Sequence, residues 1–143
     1  MPNIYHNFII KESPSKVFAT LHSSNGLDNW WTKSSEVNQK PGGIYSLQFG
    51  PGYSWKAVVS KFTEDKIFEL QLTEADAEWQ GTKVGFVLSQ INENTEVNFY
   101  HTGWPAENEH FKISNYCWAM YLRLLKRYIE HGEQVTYEDR LDA

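Results

Sequence analysis

What this chain lacks narrows its class before any motif is read. Among its 143 residues there is one cysteine, Cys117. No internal disulfide can form, and no multi-thiolate metal site can be built. Basic residues are outnumbered, 13 Lys and Arg against 18 Asp and Glu, for a formal net charge of −5. With no basic run either, nucleic acid is a poor partner. No apolar stretch approaches the roughly 20 residues of a membrane span, and Met1-Pro-Asn-Ile-Tyr-His has no signal-peptide pattern. A cytoplasmic protein is expected. Glycine and proline number only 9 and 5, which excludes collagen-like and low-complexity chains. His6, His22, His101, His110 and His131 show neither His-x3-His nor His-Glu-x-x-His spacing, so no metal is expected. A P-loop, a dinucleotide fingerprint and a Gly-x-Ser-x-Gly elbow are missing too, and no cofactor or catalytic residue is assigned.

What the chain has in surplus is aromatic side chains, at 15% of residues. Their placement follows the elements. Ile4, Phe8 and Ile10 alternate around His6 as a strand, and Ser13-Pro14 reads as an N-cap followed by proline at the first helical position. Val17, Phe18 and Leu21 form that helix's apolar face. The breaker cluster Ser23-Ser24-Asn25-Gly26 predicts a second short helix leading to Leu27, Trp30 and Trp31. From Pro41-Gly42-Gly43 onward the pattern has period two. Its apolar sets are Tyr45, Leu47 and Phe49; Tyr53, Trp55, Ala57 and Val59; Phe68, Leu70 and Leu72; Val84, Phe86 and Leu88; then Val97, Phe99 and His101. Short turns between these runs predict an antiparallel meander. The acidic run Glu74–Glu78 reads as a solvated loop. From Phe111, the residues Trp118, Leu122, Leu125 and Ile129 make one stripe of a long helix that Gly132 terminates. Residues 1–132 are thus expected to be a single domain, with 133–143 a polar tail, extended or frayed.

The order strand, two short helices, antiparallel strands and long C-terminal helix resembles the helix-grip fold of the START-like (SRPBCC) superfamily. Residues narrow the likeness. Ser13-Pro14-Ser15-Lys16-Val17-Phe18-Ala19, Asn29-Trp30-Trp31-Thr32, Gly42-Gly43 and Thr82-x-Val84-x-Phe86 are similar to bacterial homologues of the activator of the heat-shock chaperone ATPase. So are His101-Thr102-Gly103-Trp104 and the run Trp118 to Gly132. The resemblance implies an α+β architecture: a curved antiparallel sheet wrapped around the last helix, with a cavity between them. Superfamily members carry apolar ligands there, act as cyclases, or assist other proteins.

Inside such a cavity the candidate ligand-binding residues are Trp55, Phe68, Leu70, Phe86 and Phe99 on the sheet face and Trp118 on the helix. Each alone is a core residue; as a group they are expected to surround a space that one helix cannot fill. Trp30 and Trp104 are placed at its mouth, and Trp31 is the better candidate for burial. His101, in phase with Val97 and Phe99, points inward as a neutral histidine, a ligand anchor or a general acid/base. Asn115 is a second candidate anchor, or bonds backbone. Cys117 reads as an inert thiol. The expected function is binding of an apolar or aromatic small molecule; the alternatives are a cyclase- or hydrolase-type enzyme and a chaperone- or partner-assisting module. Tyr116, Met120 and Leu124 form an apolar strip on the far side of the last helix, which predicts a homodimer face.

Overall fold

The computed structural model describes residues 2–142. Seven antiparallel strands form one sheet in the order β1-β7-β6-β5-β4-β3-β2. They are β1 (Ile4–Ile10), β2 (Ser34–Val37), β3 (Ile44–Gln48), β4 (Ser54–Thr63), β5 (Ile67–Glu74), β6 (Lys83–Ile91) and β7 (Asn94–Thr102). The helices are α1 (Pro14–His22), α2 (Ser24–Leu27) and α3 (Glu109–His131). Apart from β1, which crosses over to pair with β7, strand neighbours in the sheet are neighbours in sequence. This is the α+β helix-grip fold that the patterning and the resemblance imply. Among the described residues no helix is long and apolar enough to cross a membrane.

Local chemistry sets the boundaries. Ser13 Oγ accepts from the Lys16 amide at 3.4 Å, and Ser23 Oγ accepts from the Gly26 amide at 3.0 Å. These two caps divide the chain into two short helices. Gly26 is required there, because a Cβ would stand 2.1 Å from the Thr20 carbonyl oxygen. Asn108 Oδ1 caps α3 by accepting from the Phe111 amide, and Gly132 ends it in the left-handed region at φ 66°. Register shifts in β4 between Lys56 and Ala57 and between Val59 and Lys61 bend the sheet around its contents.

Register explains the core. Phe62, Phe68, Phe86, Phe99 and His6 stand opposite one another in turn, one row of rings across five strands. Helices and loops seal this row. Phe18 meets Phe68 at 6.5 Å, Trp30 meets Phe86 edge-on at 6.0 Å, and Trp118 meets Phe99 at 4.6 Å between ring centroids. The concavity is therefore filled from two sides, by α1–α2 as well as by α3.

Three expectations change. The strand β2 was not foreseen, because Ser34-Ser35-Glu36-Val37 has no apolar alternation; it is an edge strand held by pairing with β3. The described part of the tail is ordered at its far end rather than frayed. Residues Tyr137–Asp142 form a 3-10 helix, anchored by the buried Arg140. The Arg140 guanidinium donates to the carbonyls of Asp28 (2.6 Å), Thr32 (3.1 Å) and Val135 (3.2 Å). Finally, Leu124 is only 6% exposed, since the tail returns along α3 with Val135 against the core. The outer apolar strip thus reduces to Tyr116, 81% exposed, and the half-buried Met120.

Candidate functional site

The site is an open groove of about 300 Å³ between α3 and the β3–β4 end of the sheet. Helix α3 contributes His110, Ile113, Ser114, Cys117, Trp118 and Tyr121. These positions recur at three- and four-residue steps, so they form one stripe beside the core stripe. The sheet end supplies Phe49, Tyr53 and Trp55, the β5–β6 loop supplies Asp76 and Trp79, and the segment after α2 supplies Trp31. Tyr137 of the tail closes the rim, its hydroxyl donating to the Phe49 carbonyl at 2.6 Å.

Five of these rings form a closed circuit. Centroid distances run 5.4 Å from Trp31 to Phe49, 4.9 Å to Trp55, 5.1 Å to Trp79, 5.7 Å to Trp118 and 5.2 Å back to Trp31. Besides the tyrosine hydroxyls and the Cys117 thiol, the ionisable groups on this wall are the exposed Asp76, and His110, whose Nδ1 lies 3.6 Å from the Glu78 carboxylate. Larger hollows of about 530 and 640 Å³ lie elsewhere on the surface. They are bordered by arginines and Glu133, or by serines, Asp65 and Lys66, without converging rings.

Hydrogen bonds behind the wall hold two of the tryptophans. Trp118 Nε1–H donates to His101 Nδ1 at 3.0 Å. An indole can only donate, so Nδ1 is the acceptor and the imidazole proton sits on Nε2. That proton is donated to Thr82 Oγ1 at 2.8 Å, and the Thr82 hydroxyl in turn donates to the Trp79 carbonyl. The Trp79 indole donates to Ser114 Oγ at 3.3 Å. The two indoles thus present carbon to the groove with their N–H groups already used.

His101 is fully buried, and both its nitrogens are satisfied within this relay. Burial, with a smaller contribution from the nearby His110, lowers its pKa from 6.5 to about 3. It stays neutral at physiological pH and stands outside the groove, so the geometry gives it the work of positioning Trp118 rather than of an acid/base or a ligand anchor. Cys117 is half-buried, and desolvation raises its thiol pKa, as suits an unreactive wall residue.

The sequence-derived site residues divide. Trp55 and Trp118 border the groove. Phe68, Leu70, Phe86 and Phe99 lie in the sealed core, each at most 3% exposed, and do not reach it. Trp30 and Trp104, placed at a mouth by sequence, are completely buried. The short helix before Trp30 carries it under the fold onto Phe86, and Trp104 packs edge-on against Phe111 at 5.3 Å. Asn115 faces away from the groove, exposed, and its Oδ1 pairs with His6 Nε2 at 2.9 Å, tying α3 to β1. Trp79, Asp76, Tyr121 and Tyr137 border the groove as well, outside the sequence-derived set. One signal was available for Trp79: a lone tryptophan ending an acidic run, where a solvated loop has no use for it.

A family model described as Activator of Hsp90 ATPase homolog 1-like protein matches residues 11–130. Among solved structures, the Aha1 dimer from Colwellia psychrerythraea is 29% identical with a TM-score of 0.84, over 93% of this chain and 99% of that one. SSP2350 from Staphylococcus saprophyticus is 14% identical with a TM-score of 0.78, over 94% and 96% of the two chains. CalU16 from Micromonospora echinospora is 14% identical with a TM-score of 0.74, over 96% and 83%. These last two likenesses show the fold alone. Comparison with curated proteins gives no match. With 11–130 covered by the family model and the fold shared throughout, the chain belongs to the Activator of Hsp90 ATPase homolog 1-like family.

Proposed function

We propose that this protein binds an apolar or aromatic small molecule in the groove between α3 and the β3–β4 end of the sheet. The observation that carries the reading is the closed circuit of five rings lining an open groove of about 300 Å³. Trp31, Trp79 and Trp118 form the buried floor of this circuit, and the half-buried Phe49 and Trp55 carry it out to the opening. The part that water reaches, Phe49, Tyr53, Trp55 and Tyr121, is stabilised when an apolar molecule covers it. His101, the expected acid/base of an enzyme in this cavity, is neutral and fully hydrogen-bonded behind the wall, which favours binding over catalysis.

A planar two-ring probe such as 2-naphthol has 11 non-hydrogen atoms. At about 0.5 kcal/mol per atom its Kd is on the order of 100 µM. Calorimetry of the wild type should give one site of that strength. Cys117→Phe, which puts a ring into the groove from α3, should abolish binding while the Tm stays within a few degrees. Equal binding by the two proteins would move the site elsewhere and end this reading.

We also infer a homodimer, because the Colwellia relative, 29% identical over 93% of this chain, is a dimer. The face that suits a second copy is the outer side of α3, where Tyr116 is 81% exposed beside Met120 and Arg123. Leu124 is buried, so the test uses Tyr116→Glu with Met120→Glu, which leaves the core untouched. Sedimentation should show a dimer for the wild type and a monomer for the variant. A wild type monomeric at high concentration rejects the inference.

A further inference from the structure

We propose that the groove selects organic cations, molecules with a methylated ammonium head of the trimethylammonium kind, over neutral and anionic ligands of the same shape. The inference rests on the binding reading above and adds a ligand class to it. Two independent features point the same way. The first is the ring circuit. Aromatic rings attract a cation within about 6 Å of the centroid, Trp most strongly, and cages of such rings are how quaternary ammonium groups are recognised. Four of the five circuit members are tryptophans, and the steps between centroids are 4.9–5.7 Å. Trp31, Trp79 and Trp118 are the buried floor, so a cation seats at the half-buried edge where Trp55 and Phe49 stand 4.9 Å apart and one ring flanks the other. A methylated ammonium, unlike a primary amine, needs no hydrogen-bond acceptors, and the wall offers it mostly carbon.

The second feature is charge. Among the described residues Asp76 is the carboxylate bordering the groove, exposed, and none of them engages its side chain in a hydrogen bond or ion pair. Glu78 stands behind it against His110. Among the described residues no lysine or arginine borders the groove. Arg140, beneath Tyr137, is consumed by three carbonyls and itself lies 5.5 Å from the Tyr137 ring centroid. In a chain of net charge −5, the field at the mouth favours a cation and repels a carboxylate or phosphate.

The test uses three probes of one shape: choline, its neutral carbon isostere 3,3-dimethylbutan-1-ol, and the anion 3,3-dimethylbutanoate. Each is titrated into the wild type and Asp76→Asn, reading the indole N–H resonances by NMR, with 2-naphthol as a positive control. Choline should bind about tenfold more tightly than the alcohol, from the cation–π contribution of a partly desolvated site. The anion should not bind measurably. Asp76→Asn should weaken choline severalfold, far more than it changes the alcohol or 2-naphthol, and added salt should weaken choline alone. If the alcohol matches choline, or the anion binds best, or 2-naphthol binds while choline does not, the cation selectivity is wrong and the binding reading stands. If no probe including 2-naphthol binds, both fall together.

Discussion

Replacing His101 with phenylalanine isolates the relay behind the groove. The variant removes the acceptor of the Trp118 indole, leaving a buried N–H unpaired at about 1–3 kcal/mol, and the bond to Thr82, worth about 1 kcal/mol. The expected loss is about 3 kcal/mol. Unfolding entropy near 2.1 cal/mol/K per residue gives about 0.3 kcal/mol/K for a chain of 143 residues, so the Tm should fall by about 10 °C. His101→Gln, which keeps one acceptor and one donor, should recover part of this. The acid response supplies a second readout. His101 binds its proton at about pH 3 when folded and near 6.5 when unfolded. The unfolded chain therefore takes up the proton first as pH falls. The stabilisation is complete above pH 6.5 and is lost progressively from there down to pH 3, with about 2 kcal/mol gone at pH 5. Urea denaturation at pH 7.5 and pH 5 should show that loss in the wild type and a correspondingly smaller one in both variants; His22, also held low by burial, supplies part of the remainder. Binding of 2-naphthol should weaken in His101→Phe, where Trp118 loses its positioning bond, and recover in His101→Gln, but persist in both because His101 itself does not border the groove. A His101→Phe protein with unchanged Tm and unchanged acid response would refute the relay.

Three further outcomes follow from single contacts. Arg140→Ala removes three charge-assisted bonds to carbonyls, so residues 133–142 should lose hydrogen-exchange protection and the Tm should drop by about 5–10 °C; a tail still protected contradicts its anchoring role. Gly85→Ala would put a Cβ 2.2 Å from the Tyr100 ring, displacing the hydroxyl that Tyr100 donates to the buried Glu69. The cost should be about 2–4 kcal/mol by urea denaturation, and a loss under 1 kcal/mol would show that the ring moves freely. Cys117, with its raised pKa, should react with a disulfide reagent at pH 8 more slowly than an exposed thiol, and 2-naphthol should slow it further; labelling indifferent to 2-naphthol would place the probe outside the groove.

The fold was legible in the sequence because burial imposes a period. Alternation around Leu47, Leu70, Phe86 and Phe99 marked strands, and the Phe111–Ile129 stripe with Gly132 marked α3. The edge strand β2 escaped because its side chains face little that is apolar, so pairing with β3 rather than pattern holds it. The tail escaped because its anchor is Arg140, a charged residue whose burial depends on three distant carbonyls. Of the site only Trp55 and Trp118 were legible, for a related reason. Periodicity says which face of the sheet a ring occupies, but not what else fills the concavity. Trp30 and α1 fill its middle, so Phe68, Phe86 and Phe99 became core, and the opening moved to the β3–β4 end. There Trp79 arrives from a loop and Tyr137 from the tail, which no strand or helix period announces. His110, Ile113, Cys117 and Tyr121 carried a helical spacing that was visible, yet their mixed chemistry hid it.

Whether the aromatic groove takes a ligand can be read from the chain's six tryptophans. Trp31, Trp55, Trp79 and Trp118 border the groove, whereas Trp30 and Trp104 are sealed away from it. In a titration with 2-naphthol followed through the six indole N–H resonances, assigned by single Trp→Phe variants, the four groove signals should shift together along one saturation curve, and those of Trp30 and Trp104 should stay nearly still. No saturable shift, or shifts of equal size at all six, would contradict binding in the groove.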